Sequence, residues 1–169
     1  LIPYIARIAG DAGRMPIAEN AAEAVLPDLA LAPMPASLVR IGLGLMIVDR
    51  RASKAAADVY PFLDQNQPGM AISGIMCFHR VLGLLSQTMG NHDQAASHFE
   101  DSLTFCRAGY RVELAWTCGD YSDLLRDRNA DGDRARAMSL LDESLAISSE
   151  LGMRPLMERV LSRREILKA

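Results

Sequence analysis

Four stretches of the chain repeat one spacing of small and bulky apolar residues. Each has a small residue, a bulky apolar residue four positions later and a leucine eight positions later, and successive stretches are 34, 40 and 42 residues apart. This spacing places the three residues on one helix face, where the small side chain lets a neighbouring helix approach. We interpret these stretches as the second helices of repeated helix pairs. The four stripes are Ala21/Val25/Leu29, Ala55/Val59/Leu63, Ala95/Phe99/Leu103 and Ala137/Leu141/Leu145.

The first helices of two pairs also resemble each other. SLVRIGLGLM at 37–46 aligns with CFHRVLGLLS at 77–86 at an offset of 40, so that Arg40 stands over Arg80. No alternating run of β-branched residues indicates a strand. The chain is therefore expected to be all-α, a single helical-repeat domain over 1–169 without a sheet. The predicted elements are helix pairs at about 2–30, 35–63, 71–106 and 111–151 and a polar-faced capping helix at 155–167.

Glycine and proline positions predict where the helices end or bend. Gly90 and Gly152 follow helical stretches and suit the left-handed conformation that ends a helix. Pro27 and Pro61 lie within predicted helices, where a proline removes a backbone hydrogen bond, so both helices are expected to bend. The polar stretch 64–70 is expected to be a hinge between the second and third pairs.

Composition and charge exclude several functional classes. The chain has 169 residues, a net charge of −3 and 50% hydrophobic residues, so a basic surface for nucleic acid or anionic membranes is not expected. Its longest apolar run, residues 41–48, is far shorter than the roughly 20 residues needed to span a bilayer. Three cysteines cannot all pair within the chain, which favours a reducing cytoplasm. Because the chain starts at Leu1 without a methionine, we expect a fragment of a longer protein.

The third unit resembles a tetratricopeptide repeat, a helix-pair motif of about 34 residues. The matching positions are Leu82, Gly83, Ala95, Phe99 and Ser102, with serine in place of the usual alanine. Residues 55–165 are similar to the C-terminal helical-repeat region of bacterial multidomain regulators. In these, an AAA-type or STAND-type ATPase is joined to a LuxR-type DNA-binding domain or a class III adenylyl cyclase domain. The resemblance implies a right-handed, tetratricopeptide-like antiparallel helix-pair solenoid with a C-terminal capping helix.

The same resemblance implies a non-catalytic module of a transcriptional or signalling regulator. The chain has no Gly-rich phosphate-binding loop ending in Gly-Lys-Ser or Gly-Lys-Thr, and no cofactor or enzymatic activity is expected. The expected partners are a protein or peptide, other domains of the parent chain, or a small anionic effector. The alternative is a structural spacer or self-association unit in the same kind of regulator. An enzyme ranks third, because no nucleophile with a base and an orienting group can be identified.

Two sequence features are weighed as metal sites. The loop from Asp127 to Asp133 matches the first half of a calcium loop, but Met138 replaces the glutamate at the twelfth position, so a plain inter-helix turn is favoured. His79, His92 and His98 with Cys77, Cys106 and Cys118 have no zinc-ligand spacing. The cysteines are expected to pack as small apolar residues, and no metal site is predicted.

In the resembling repeats, one face of the first helices lines a concave groove. Arg40 and Arg80, at equivalent positions, would then form a fork of two guanidiniums for a carboxylate or phosphate. The alternative is that each arginine lies along an apolar surface, with its head in water or paired to a local acid. The predicted groove residues are Ser37, Arg40, Gly44, Cys77, Arg80, Leu84 and Gln87.

Overall fold

The computed structural model describes residues 15–25, 33–65, 70–71 and 76–168, together with Pro3, Ile5, Ile8 and Gly13. Eight helices cover nearly all of these ranges, so the described fold is all-α. No helix within these ranges has both the length and the apolarity that crossing a bilayer requires. The helices are α1 (Met15–Val25), α2 (Pro33–Asp49), α3 (Ser53–Gln65), α4 (Phe78–Thr88), α5 (His92–Cys106), α6 (Arg111–Arg128), α7 (Asp133–Glu150) and α8 (Arg154–Lys168).

A two-residue antiparallel ladder lies just before α4. The strands β1 (Met70–Ala71) and β2 (Met76–Cys77) pair Met70 with Cys77 and Ala71 with Met76. The expectation that the fold has no strand pairing is wrong at this one place. Its physical basis is local: strand β2 leads directly into α4, whose N-cap residue Cys77 has the extended backbone of a strand.

Each helix from α1 to α8 packs against the next one along the chain. In addition, α2 contacts α4, α4 contacts α6, and α6 contacts α8, so alternate helices lie side by side in one layer. On the other side of the fold, α5 and α7 are joined by an ion pair between Glu100 and Arg136. Residues about 40 positions apart in sequence are therefore brought together, as the repeated pattern predicts.

One continuous hydrophobic core runs from α2 to α8. The stripe Ala95, Phe99 and Leu103 is completely buried within it, as the spacing predicts. In the last stripe Ala137 and Leu141 are completely buried, and Leu145 is half-buried against the core. The third and fourth stripes are therefore confirmed as core-facing.

The first stripe is wrong by one residue, whereas the second is confirmed at Leu63 and only in part at Ala55 and Val59. In α1, Ala21 is exposed and Val25 is 42% exposed, whereas Met15, Ala18 and Ala22 are buried. These three residues are three and four positions apart and form the true buried face of a helix. Leu29 lies outside the described residues. In α3 the fully buried residues are Ala56 and Leu63, seven positions apart, while Ala55 and Val59 are half-buried.

The helix ends follow the glycine and proline positions where the structure describes them. Gly90 and Gly152 have φ of +83° and +67°, the left-handed conformation predicted for each helix end. Pro155 lies in the first turn of α8. Helix α3 continues past Pro61 to Gln65, and the predicted bend at Pro27 and most of the predicted hinge lie outside the described residues.

Candidate functional site

A charged groove lies on the layer formed by α2, α4, α6 and α8. It encloses about 370 Å³ and is bordered by four aspartates and four arginines, so its formal charges balance. Every helix of the layer contributes lining residues, which is the placement expected for the shared face of repeated first helices. We call this set of residues the charged groove: Val48, Asp49, Arg51, Leu84, Gln87, Thr88, Asp120, Asp123, Arg126, Asp127, Arg159 and Arg163.

Arg80 lies beneath the charged groove as the centre of a buried ion-pair network. Its side chain is 1% exposed. Its Nη1 donates to Oε2 of Glu113 at 2.7 Å and its Nε to Oδ2 of Asp120 at 2.9 Å. Both carboxylates are also buried. A buried arginine requires such partners, because an unpaired charge in this environment would be strongly destabilising.

Asp120 connects this buried network to the groove surface. Its Oδ1 accepts a hydrogen bond of 2.7 Å from Nη2 of Arg159 on α8. One helical turn later, Asp123 accepts hydrogen bonds of 2.6 and 2.7 Å from Nε of Arg163. These ion pairs hold α6 between α4 and α8. The groove therefore has a floor in which charges of opposite sign are already paired.

Trp116 is buried close to two arginines of the network, Arg80 and Arg159. The Cζ atoms of Arg80 and Arg159 each lie 5.7 Å from its ring centroid. An indole ring attracts guanidinium groups at this distance through the negative potential of its face. The ring therefore helps to keep both guanidiniums within the protein.

Burial also changes the acidity of the Glu113 carboxyl. Loss of contact with water raises the pKa of its carboxyl from an ordinary value of 4.5 to about 7. The charge of Arg80 and the backbone N–H of Cys77, which donates to Oε1 at 2.8 Å, oppose this increase in pKa. The protonation of Glu113 therefore depends on its burial and on its two partners, Arg80 and Cys77.

Replacing Glu113 with Gln is expected to change how stability depends on pH. Because the pKa of Glu113 is higher in the folded chain than in the unfolded chain, the folded chain binds more protons between pH 4.5 and about 7. The contribution of Glu113 to the free energy of unfolding is therefore full below pH 4.5 and falls as the pH rises through 7. Urea unfolding at pH 4.5, 5.5, 6.5 and 7.5 should show a smaller decrease over this window in Glu113→Gln. Glu158→Gln, at an exposed carboxylate, is the control, and identical profiles for all three proteins would contradict the expectation.

The structure separates the predicted pair of arginines. Arg40 is half-buried, with its Cζ 3.6 Å from the ring centroid of Phe62, and Arg80 is enclosed by carboxylates. The predicted open fork of two guanidiniums is therefore wrong. Both side chains match the alternative, an arginine along an apolar surface and an arginine paired to local acids. The two helices are adjacent, but Arg80 is drawn inward by Glu113 and Asp120.

The other predicted groove residues divide into two groups. Leu84 and Gln87 line the charged groove, and Nε2 of Gln87 donates to Asp127 at 3.0 Å. Ser37, Gly44 and Cys77 are buried and do not line it. At Gly44, an added Cβ would lie 3.7 Å from Val81 and Leu85, so this glycine lies at the contact between α2 and α4.

Sequence reasoning missed the residues that form the groove floor. Asp120 follows Arg80 by 40 residues and Arg163 follows Asp123 by 40 residues, which is the offset already found between Arg40 and Arg80. Extending that alignment across α6 and α8 would have placed these opposite charges at neighbouring positions. The signal was therefore present in the repeat period rather than in any short motif.

The acidic loop after α6 forms a turn in which both carboxylate oxygens of Asp133 accept hydrogen bonds from other groups of the protein. Arg128 donates to both oxygens of Asp133, at 2.9 and 2.7 Å, and the N–H of Ala130 donates at 2.9 Å. Asn129 and Gly132 have positive φ, as an inter-helix turn requires. Cys77, Cys106 and Cys118 are all buried, as expected for small core residues.

No family model, curated protein or solved structure matches this chain. The tetratricopeptide-like resemblance therefore stays a proposal, and the charged groove is the feature of the described residues that points to a function.

Proposed function

We propose that this chain is a non-catalytic, tetratricopeptide-like helical-repeat solenoid that binds a protein or peptide partner in the charged groove. The strongest support is that four helices, α2, α4, α6 and α8, all contribute side chains to one cleft. Stacked helix pairs bind extended partners on such a shared face. An enzymatic role has no comparable support, because the charges of the groove floor are paired with each other.

The charges of the groove favour a partner that carries both signs. Asp120 and Asp123 are paired with Arg159 and Arg163, so a bound charge must exchange with an existing ion pair. Arg51 at the rim is exposed, and its guanidinium pairs with no residue that the structure describes. A carboxylate of the partner is the natural ligand for Arg51. A small anionic effector is the second class of ligand, because its negative charge could also pair with Arg51.

A structural spacer or self-association unit is the second candidate, and a separate surface favours it. An apolar pocket of about 220 Å³ lies between α1 and α2 and includes Val25, Leu38 and Met46. Ile17, also on α1, is 62% exposed. Apolar surface at one end of the helix layers suits contact with adjoining repeats or with a second copy.

The biological setting that we propose follows from the resemblance to bacterial regulators. In that setting the chain is a cytoplasmic module of a transcriptional or signalling protein. Its partner is another domain of the parent chain or a separate protein. Three buried thiols without a disulfide are compatible with a reducing compartment.

Peptide selection followed by matched charge reversal tests the proposed function. Peptides enriched on the chain from a random displayed library would be measured against Arg51→Glu at the groove and Arg134→Glu on α7. Both arginines are exposed and undergo the same change of charge. We expect roughly tenfold weaker binding for Arg51→Glu, because a partner carboxylate loses its cation and meets a like charge. Arg134→Glu should bind as the wild type does.

The outcome also separates the two candidate functions. Enriched peptides that bind Arg51→Glu and wild type equally, or that lose affinity only with Arg134→Glu, would contradict binding in the charged groove. Sedimentation velocity of the same proteins measures self-association. A concentration-dependent dimer that Ile17→Asp abolishes would instead favour the self-association unit.

A further inference from the structure

Three potential metal ligands meet where α4 lies against α5. His79 is on α4, and His98 and Asp101 are three residues apart on one face of α5. Nδ1 of His79 lies 3.5 Å from Nδ1 of His98 and 3.8 Å from Oδ2 of Asp101. One ligand atom from each of the three side chains lies within 4.8 Å of the others. Two nitrogens on one tetrahedral zinc stand about 3.3 Å apart, given Zn–N bonds of about 2.0 to 2.1 Å. The two imidazoles are thus nearly at the spacing of zinc ligands.

The orientation of His98 is set by Tyr60 of α3. Nε2 of His98 lies 2.6 Å from the Tyr60 hydroxyl, and Nε2 of Gln94 donates to the same oxygen at 3.0 Å. A hydroxyl can donate and accept, and Oδ1 of Asp64, 3.5 Å from that oxygen, offers an acceptor for the hydroxyl proton when zinc occupies the site. The tyrosyl oxygen then accepts from Nε2–H of His98. Nδ1 of His98 consequently carries a lone pair, directed at His79.

We propose that His79, His98 and Asp101 bind one zinc ion, with Tyr60 as the group that orients His98. Two imidazoles and a carboxylate are ligands of choice for zinc, whereas calcium and magnesium prefer oxygen ligands only. A zinc-binding histidine usually donates its other ring N–H to an oxygen acceptor, and the Tyr60 hydroxyl, 2.6 Å from Nε2 of His98, can take that part here. The ion takes the place of the proton between the two Nδ1 atoms, and that proton moves to the other nitrogen of His79.

The three ligands are unequally exposed, so a zinc ion could enter the site from solvent. Once bound, it would stabilise the fold by linking helices. His98 is buried and the side chain of His79 is 20% exposed, while that of Asp101 is 58% exposed and can move towards the ion. An ion at this position would link α4 to α5 and, through Tyr60, to α3. Sequence spacing could not indicate the site, because its two histidines are 19 residues apart on different helices.

Zinc titration of the intact chain tests this site. Isothermal calorimetry with zinc chloride should give one ion per chain, and the thermal midpoint of unfolding should rise with zinc but not with magnesium or calcium. His79→Ala and His98→Ala should each weaken zinc binding at least tenfold, and Tyr60→Phe by about 10- to 100-fold. His92→Ala, at the chain's third histidine, is the matched control and should bind as the wild type does.

Two further measurements keep the test decisive if a histidine variant unfolds. Asp101→Asn changes an exposed side chain and should still weaken zinc binding tenfold. Cobalt as the probe should give visible absorption without a thiolate charge-transfer band. Absence of stoichiometric zinc binding, equal affinity in Asp101→Asn and His92→Ala, or a thiolate band that assigns the ion to the cysteines would each overturn the proposal.

Discussion

Replacing Arg80 with Met is expected to lower the free energy of unfolding by about 3 to 5 kcal/mol, because it removes the cation that two buried carboxylates share. Glu113 and Asp120 are 2% and 1% exposed, so water cannot replace the lost hydrogen bonds. Asp120 keeps its bond from Arg159, and Glu113 keeps the N–H of Cys77. Removal of the positive charge also raises the pKa of Glu113 further, since Arg80 lowers it in the wild type.

Urea denaturation, followed by circular dichroism, measures this loss. Arg111→Met is the control, because Arg111 and Glu150 form an ion pair at the surface, where solvent screens the charges. The double variant Arg80→Met/Glu113→Gln should recover part of the loss, since it removes the buried carboxyl that has lost its ion pair with Arg80. A midpoint for Arg80→Met equal to that of Arg111→Met would show that the buried network contributes nothing to stability.

The position of Arg80 shows what a repeat alignment can predict and what it cannot. The stretch that follows it, Val81 to Leu85, is apolar, and in the structure most residues of α4 are buried. A single charge in such a helix must have partners. The alignment identified the position as equivalent to Arg40, but equivalence in sequence does not make two side chains share an environment. Arg40 lies over Phe62, whereas Arg80 has Glu113 and Asp120 within reach.

The accuracy of the predicted helix faces follows the regularity of the sequence. At Ala95, Phe99 and Leu103 a small residue, an aromatic ring and a leucine are fixed by close packing, and all three are buried as predicted. In α1, many alanines allow several alignments that differ by one residue, so Ala21 was chosen where Ala22 is buried. Alanine carries too little apolar surface to determine which face of a helix is buried.

The charged groove and the histidine cluster could not be predicted from local patterns, because each is assembled from separate helices. Asp123 and Arg163 are 40 residues apart, and His79 and His98 are 19 apart. Such pairs meet only after the helices have stacked in one register. The repeat period gives that register for the groove, whereas no repeated feature relates the two histidines.

Replacing Phe99 with Ala is expected to cost about 3 to 5 kcal/mol of unfolding free energy, the loss typical of a buried phenylalanine. Phe99 is completely buried and stacks on Tyr121 of α6, with ring centroids 5.3 Å apart and planes inclined by 14°. It also contacts α4, where a Cβ added at Gly83 would lie 3.1 Å from the ring. Phe99 therefore joins three helices. Urea denaturation compared with Phe105→Ala, at a half-buried ring on the same helix, measures the effect, and equal losses would contradict it.

The contact between Phe99 and Gly83 predicts that two damaging substitutions partly compensate each other. Gly83→Leu alone should cost about 1 to 3 kcal/mol, because the leucine overlaps the Phe99 ring. In the Phe99→Ala background the same leucine enters the space that the ring has left, so its cost should fall by at least about 0.5 kcal/mol in a double-mutant cycle. Gly44→Ala is the control, since its neighbours are Val81 and Leu85, and it should be additive with Phe99→Ala. Additive losses for Gly83→Leu and Phe99→Ala would mean that Gly83 does not face the ring, and that the packing of α4 on α5 differs from that in the structure.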